Sequence, residues 1–319
     1  MRLLIFFSVY ALILFLFYVP LSFPVSYEDD IGFTEVFFCQ EINCATLLVD
    51  LLIESESAYC ALYDLDEPTI ITAITEKNTS TLLFEDNYEK NLPKNIKSVE
   101  SKGLMHHKFC VFDEQYVLTG SWNPTVRGTN VNDNYVLFIS SEKIAESFID
   151  EFNYLQTRKD TDKPNELFVN LSGTLITVLF CPLHDCEENV LETLSKANKS
   201  IQVLAFSFTS QPIAEILVNK SLQGVNVSVV FEKTRIASYS QYDYLEENNV
   251  AVFKDANRYT MHEKVFIIDG KMIIVGSYNP TSAATHKNDE NLLILRDERL
   301  AEQFLDEFER IQNALKQQN

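Results

Sequence analysis

Histidine and lysine two residues apart occur twice in this chain, as His106-x-Lys108 and His262-x-Lys264. Each pair heads the same longer pattern. The first copy, MHHKFCVFDEQYVLTGSWNPT, continues through Asp113, Gly120, Ser121 and Asn123. The second, MHEKVFIIDGKMIIVGSYNPT, continues through Asp269, Gly276, Ser277 and Asn279, each 156 positions after its counterpart. A doubled set of His, Lys, Ser and Asn is what a two-histidine site for phosphodiester cleavage requires. One neutral imidazole attacks phosphorus and becomes a phosphohistidine. The other, protonated, gives a proton to the leaving alkoxide and later activates water. Two lysines and two asparagines surround the non-bridging oxygens and stabilise the charge of the five-coordinate transition state. The lysines supply the positive charge, so the chemistry calls for no metal and no cofactor. The Gly-Ser pairs allow close backbone approach and put a hydroxyl near the site. Asp113 and Asp269 follow the lysines at an odd offset, toward the other strand face, and read as structural.

These side chains need scaffolding. On a strand, His106 and Lys108 share a face, as do His262 and Lys264. Burying His and Lys there costs several kcal/mol, roughly, unless something compensates. Two equivalent faces meeting across a symmetry axis would form one polar site. Short apolar runs surround each motif: 109–112, 116–118 and 135–139, then 265–268, 272–275 and 291–295, with 201–208 and 227–231 upstream. Such runs suit buried strands covered by helices. EKIAESFIDEFNYL (142–155) and ERLAEQFLDEFERI (298–311) repeat at the same offset with apolar residues at helical spacing, so each predicts a closing amphipathic helix. From Cys39 to Cys181 the offset is 142, and YSQYDYLEENN (239–249) reads as the extra helix of the second half. The resulting fold class is α/β: two sandwich halves, each a mixed sheet flanked by helices, related by a pseudo-twofold axis after an N-terminal hydrophobic helix. The expected boundaries are 1–26 for that segment, 32–157 and 167–315 for the halves, and 158–166 for a polar linker.

The doubled pattern resembles the signature of the phospholipase D superfamily, H-x-K-x4-D-x6-G-S-x-x-N. The short MHHKF form, the NDENLLIL tail and the closing EFERI helix are similar to the branch of secreted bacterial endonuclease and mitochondrial cardiolipin hydrolase. Members of that branch carry one motif per chain and dimerise. This chain looks like their fused dimer, similar to two-motif proteins of archaeal type, over roughly residues 32–315, and is expected to work as a monomer. The resemblance implies that an acidic residue after the motif orients the histidine of its own half. Glu290 fills that place in NDENLL; NDNYVL has Asn134. An amide cannot stabilise an imidazolium as a carboxylate does, and a nucleophile must start neutral. The resemblance also implies that the first-motif histidine is the nucleophile, and Asn134 agrees; His106 is read as nucleophile and His262 as general acid/base, an assignment that the same residues also permit in reverse. The other histidines read differently: His107 as a surface or supporting residue, His184 and His286 as loop residues. Trp122, Tyr278, Tyr63 and Phe206 read as core or pocket wall. Asp64 and Asp66 read as site mouth or strand end.

Bulk properties bound the setting. The chain has 319 residues, 46% apolar, with a formal net charge of −20. That charge disfavours non-specific nucleic-acid binding without excluding a local basic cleft. After Arg2, an apolar stretch runs from Leu3 to Val19, followed by Glu28-Asp29-Asp30. It reads equally as a removed signal peptide or an uncleaved membrane anchor, and its charge order places the rest of the chain outside the cytoplasm. Cys39 with Cys44, and Cys181 with Cys186, form two Cys-x4-Cys pairs that read as local disulfides of an oxidising compartment. Zinc is the competing reading, short of ligands. Cys60 and Cys110, in apolar strands, read as small buried hydrophobes with free thiols, favoured over a third bridge. Asn78, Asn170, Asn198, Asn219 and Asn226 head glycosylation sequons that matter only if the chain is exported. The leading expectation is phospholipase D-type cleavage of a phospholipid headgroup at a membrane. A secreted nuclease cutting DNA or RNA is the alternative, and a weakened binding protein is the third. A cleft bordered by lysines or arginines would favour the nuclease; an apolar rim would favour lipid.

Overall fold

The apolar runs become strands, and their order in space repeats the order of the duplication. The computed structural model describes residues 26–77, 80–85 and 96–316. The apolar N-terminal segment and the sequon at Asn78 lie outside these residues. The first part contains β1 Glu28–Asp30, β2 Phe33–Phe38, α1 Cys44–Glu54, β3 Ala58–Leu62, α2 Pro68–Glu76, β4 Ser80–Glu85, β5 Ile96–Val99, β6 Lys108–Phe112, β7 Tyr116–Gly120, α3 Val126–Asn130, β8 Tyr135–Ser140 and α4 Glu142–Thr157. The second contains β9 Leu167–Leu171, β10 Thr174–Cys181, α5 Cys186–Ser195, β11 Ser200–Ala205, α6 Gln211–Leu222, β12 Asn226–Phe231, α7 Tyr242–Glu247, β13 Ala251–Lys254, β14 Lys264–Ile268, β15 Met272–Gly276, α8 Ser282–His286, β16 Glu290–Arg296 and α9 Glu298–Lys316.

One mixed sheet runs β2-β8-β7-β6-β3-β4-β5. The other runs β10-β16-β15-β14-β11-β12-β13, the equivalent seven strands in the same order, with β9 and β1 added at its edge. The helix α7 falls within the segment read as the insertion of the second half. Strand β1 pairs in parallel with β9, so the chain before the first half joins the sheet of the second.

The closing helices hold the halves together. Ser141 caps α4, its hydroxyl accepting from the Ile144 N–H, and Asp297 does the same for α9 through Leu300. Helix α4 packs on β3, β6 and β7 and reaches β9; α9 packs on β11, β14 and β15 and reaches β2. Both helices therefore lie between the sheets, in one apolar core that runs from the first half to the inner face of the second. Phe304 of α9 meets Phe38 and Tyr135 of the first half edge-on, at 5.4 and 5.0 Å between centroids, and Phe148 of α4 meets Phe180 at 5.2 Å. Truncating a side chain like Phe304 would cost about 3–5 kcal/mol. Helices α5 and α6 cover the outer face of the larger sheet.

All six cysteines are paired. Cys39–Cys44 and Cys181–Cys186 each close a short loop at the start of a helix, leaving no thiolate for zinc. The expectation of free thiols at Cys60 and Cys110 is corrected: they form a third disulfide. The reason is register, because β3 and β6 are antiparallel neighbours with Cys60 directly opposite Cys110. His184 braces the turn before α5, its Nδ1 accepting from the Phe180 N–H.

Candidate active site

The two motifs meet at a seam between the halves. Strands β6 and β14 begin at Lys108 and Lys264, so His106 and His262 stand just ahead of the strands instead of on a shared strand face. Strand ends, not faces, come together. Two isolated parallel bridges join them, Met105 with Asp289 and Asp133 with Met261. The His106 N–H donates to the Asp289 carbonyl and the His262 N–H to the Asp133 carbonyl, both at 2.9 Å. An arginine from the opposite half holds each aspartate: Arg158 bonds both carboxylate oxygens of Asp289, and Arg310 bonds Asp133. Each histidine backbone is thus pinned by a cross-half bond with an ion pair behind it.

The side chains also pair across the seam. The ring of His106 donates from Nδ1 to Glu290 Oε2 at 2.7 Å, since an ionised carboxylate can only accept. The ring of His262 faces Asn134 Oδ1 and the Ser121 carbonyl, both at 3.0 Å from Nδ1. Both partners are acceptors, so Nδ1 again carries the proton. This corrects the expectation that each acidic position serves its own half, and with it removes the support that Asn134 lent to His106 as nucleophile, because the amide faces His262. Glu290 and Asn134 are held at the starts of β16 and β8, and those strand ends point across the seam. Both rings therefore keep Nε2 free. Tyr63 packs edge-on to His106 at 4.8 Å, and Phe206 to His262 at 4.4 Å, as pocket walls.

The remaining motif residues divide into those near the reacting groups and those that position them. Lys108 Nζ donates to the His106 carbonyl, and Lys264 Nζ to the His262 carbonyl, both at 2.6 Å. Each ammonium retains further protons for a phosphate. The Ser121 hydroxyl donates to Asn134 and accepts from the Tyr135 N–H. The Ser277 hydroxyl donates to Glu290 and accepts from the Asn291 N–H. Both serines therefore hold the partners of the histidines, and neither hydroxyl points free into the site. Gly120 and Gly276 have φ of 152° and 136°, and a Cβ would strike the Tyr135 or Asn291 carbonyl at 2.4 or 2.3 Å. Only glycine lets these strands reach that close. Asp113 accepts from the Glu56 and Ser57 N–H groups, and Asp269 from Asn198, Lys199 and Ser200, fixing the entries to β3 and β11. Asn123 and Asn279 each bury a side-chain oxygen that lacks a hydrogen-bond partner among the described residues.

Burial dominates the electrostatics. It lowers His106 to about 4 although Glu290 opposes the shift, so this ring is neutral at pH 7. Burial, then the charges of Lys264, Lys108 and His106, lower His262 well below its ordinary value. Burial lowers Lys108 to about 7, against Glu290 and Asp64, and lowers Lys264 well below its ordinary value, with Lys108 adding to the effect. Burial raises Glu290, but His106, Lys108 and Ser277 outweigh it and keep the carboxylate ionised. Crowded cations of this kind are relieved by an entering phosphate anion.

Several contributors had no clear sequence signal. Tyr135 donates from its hydroxyl to the Lys264 or Gly276 carbonyl and accepts from the Gly276 N–H across the seam. His107, expected at the surface or behind the site, is fully buried against Glu151 at 2.8 Å. Asp64 and Asp66 line a cleft of about 280 Å³ that opens beside His262, with Arg127, Asn132, Phe206 and Arg235.

A doubled His-Lys site built on a doubled mixed sheet defines a two-motif phosphodiesterase. The family described as cardiolipin synthase, PLD-like domain, matches residues 49–156 and 190–312, one segment in each half, and the chain belongs to that family. It is 31% identical over 147 residues to a phospholipase D of Rickettsia typhi, covering 46% of this chain and 72% of that protein. It is 33% identical over 135 residues to a mitochondrial cardiolipin hydrolase of Xenopus tropicalis, covering 41% of this chain and 64% of that protein. Phosphatidylserine synthase from Haemophilus influenzae shares the fold, with a TM-score of 0.67 at 15% identity over 89% of this chain and 86% of that one. The protein is thus an enzyme of the phospholipase D superfamily.

Proposed function

We propose that this protein hydrolyses phospholipid headgroup esters by phospholipase D chemistry, without a metal, through a phosphohistidine on His106. The observation that carries the assignment is the unequal pairing, His106 with a carboxylate and His262 with two neutral oxygens. Attack by His106 Nε2 on phosphorus makes its ring a cation, and Glu290 lies at Nδ1 to stabilise that cation. As the phosphorus–oxygen bond breaks, His262, which takes up a proton at Nε2 once the phosphate anion has entered beside it, transfers that proton to the leaving oxygen. Neutral His262 then takes a proton from water, whose oxygen attacks phosphorus and releases His106. Lys108 and Lys264, with Asn123 and Asn279, hold the non-bridging oxygens.

Lipid is favoured by the names of the sequence relatives, by the net charge of −20, and by exposed Val126 and Tyr259 beside residues that line the cleft. Nucleic acid is the second reading, favoured by Arg127 and Arg235 in the same cleft. Three disulfides support an oxidising, extracytoplasmic setting, reached or held through the N-terminal segment. Among the described residues no helix is long and apolar enough to cross a membrane. Because one chain supplies both histidines, a monomer suffices. The test is purified protein with excess EDTA, offered cardiolipin, phosphatidylglycerol, phosphatidylcholine, single-stranded DNA and RNA. Release of lipid headgroup under chelation is the expected result. Activity lost to EDTA and restored by a divalent metal would overturn the mechanism; cleavage of nucleic acid alone would overturn the substrate class.

A further inference from the structure

We infer that the two short disulfides, Cys39–Cys44 and Cys181–Cys186, position the catalytic histidines by fixing the strand ends beside Asn134 and Glu290. This rests on the phosphohistidine reading above and extends it to four residues outside the doubled motif.

The first observation is register. Cys181, the last residue of β10, lies directly opposite Glu290, the first residue of β16. Cys39 follows β2, and its N–H donates to the Asn134 carbonyl at 2.8 Å, one residue before β8 begins. Each bridge therefore stands beside a residue whose side chain accepts from a histidine Nδ1 of the other half. Glu290 accepts from His106, and Asn134 from His262.

The second observation is that these strand ends have a neighbour on one side only. Among the described residues, β2 is the edge of its sheet. Strand β10 pairs with β9 only as far as Val178, so Leu179, Phe180 and Cys181 are paired on the β16 side alone. Strand ends paired on one side open locally at low cost. Here each is tied to the first residue of a helix, Cys44 of α1 or Cys186 of α5, and both cysteines are fully buried. On the inner side, the Ser121 and Ser277 hydroxyls donate to the same two partners. Asn134 and Glu290 are thus held between a motif serine on one side and a bridged cysteine on the other.

The third observation is that the bridge recurs where its loop has changed. FFCQEINC and LFCPLHDC share only Phe-Cys and the final Cys. In the first, the Asn43 side chain caps α1 by accepting from the Thr46 N–H. In the second, His184 accepts from the Phe180 N–H and donates to the Pro164 carbonyl. Two different turns bring the same bridge to the same register beside a histidine partner.

The experiment uses a nitrophenyl phosphodiester, below the melting temperature of every variant. With enzyme in excess, nitrophenolate release reads formation of phosphohistidine, and decay of the trapped phosphoryl label reads its hydrolysis. Each short bridge contributes only about 2 kcal/mol of chain entropy, so both short-bridge variants should fold. Cys181→Ala/Cys186→Ala should slow formation by about fivefold or more, because small misplacement of reacting groups is costly. The substrate concentration that half-saturates formation should stay the same. Cys39→Ala/Cys44→Ala should leave formation unchanged and slow hydrolysis, where His262 acts as base. Cys60→Ala/Cys110→Ala should melt lowest and change neither step, since β6 is paired on both sides. In a Glu290→Gln background, removing Cys181–Cys186 should slow formation less than in wild type, as expected of groups that act through one another. Losses that follow the melting temperatures, or that fall on neither step in the short-bridge variants, would overturn the positioning role while label on wild-type His106 upholds the phosphohistidine reading. Nitrophenolate release by wild type without a phosphorylated histidine would overturn that reading and this inference with it.

Discussion

Moving one carboxylate across the seam should move the covalent intermediate with it. Glu290 is fully buried, accepts from His106 Nδ1 at 2.7 Å, and is itself held by the Ser277 hydroxyl at 2.6 Å and the Asn288 amide at 3.1 Å. In Glu290→Gln the side-chain volume survives and the negative charge is lost. A hydrogen bond to a charged group contributes about 1.5–3 kcal/mol, against about 1 for a neutral one. The ionised carboxylate already assists the bond to His106, and the bond strengthens when phosphorylation makes the ring cationic. The loss should therefore fall on formation of the intermediate, by about 0.5–2 kcal/mol, or roughly 2- to 30-fold in rate. Asn134→Asp is the complementary change. Its carboxylate keeps the Ser121 hydroxyl as donor and meets the His262 Nδ1–H now bound at 3.0 Å. The double variant reverses the asymmetry of the site. The assay is rapid mixing with a nitrophenyl phosphodiester, whose leaving group needs little protonation. The burst gives the rate, and mass spectrometry at alkaline pH locates the phosphoryl group. Wild type should label His106; Glu290→Gln should label it more slowly; the double variant should shift label toward His262. Label on His262 in wild type, or an unchanged burst in Glu290→Gln, would refute the reasoning.

Three further outcomes follow from the geometry. With the nitrophenyl substrate, His262→Ala should still form phosphohistidine at His106 and then hydrolyse it slowly for want of a base, whereas His106→Ala should give no intermediate. The Cys60–Cys110 bridge spans 50 residues and the other two span 5, so chain entropy gives about 4 kcal/mol for the first and about 2 for each of the others; equal denaturation midpoints for Cys60→Ala/Cys110→Ala and Cys39→Ala/Cys44→Ala would contradict this. Burial, then the charges of Glu307 and Asp133, raise Glu263 well above 4.5. The folded protein therefore keeps a proton that the unfolded chain releases as pH rises past 4.5. Stability is full below that point and falls by about 1.4 kcal/mol for each pH unit until the folded pKa is reached. Melting temperatures across that window should fall less in Glu263→Gln, and parallel curves for the two proteins would rule this account out.

The duplicated parts of the site were legible because a repeat tests itself. His106 and His262, the lysines, the glycines and the closing helices recur at one offset, and residues that recur together in chemistry-bearing types constrain both fold and site. What stayed hidden depended on partners distant in sequence. The pairing of Cys60 with Cys110 required the register of β3 on β6, which no local pattern encodes. The crosswise bond from His106 to Glu290 required knowing that strand ends meet at the seam. Glu290 lies 13 residues after Ser277, and the resemblance implied service within its own half. Arg235 had no counterpart to compare, because the second half is longer there.

The departures from the repeat are where the two halves divide their tasks. His107 and Glu151 form a buried hydrogen-bonded pair in the first half; Glu263 and Glu307 stand at the same positions in the second, and burial of Glu263 favours its protonated form. The same chemistry problem, a carboxyl placed in the core behind a catalytic strand, is met by a histidine on one side and a retained proton on the other. Asn134 and Glu290 differ in the same way at the front of the site, where the difference has a catalytic consequence. A symmetric site would give both rings a carboxylate and leave nothing to choose which attacks. With one carboxylate, the proposed attack by His106 would form its cation beside Glu290, and attack by His262 would not. Under the proposed assignment the leaving oxygen falls on the His262 side, so the difference between Asn134 and Glu290 supports one direction of reaction through the site.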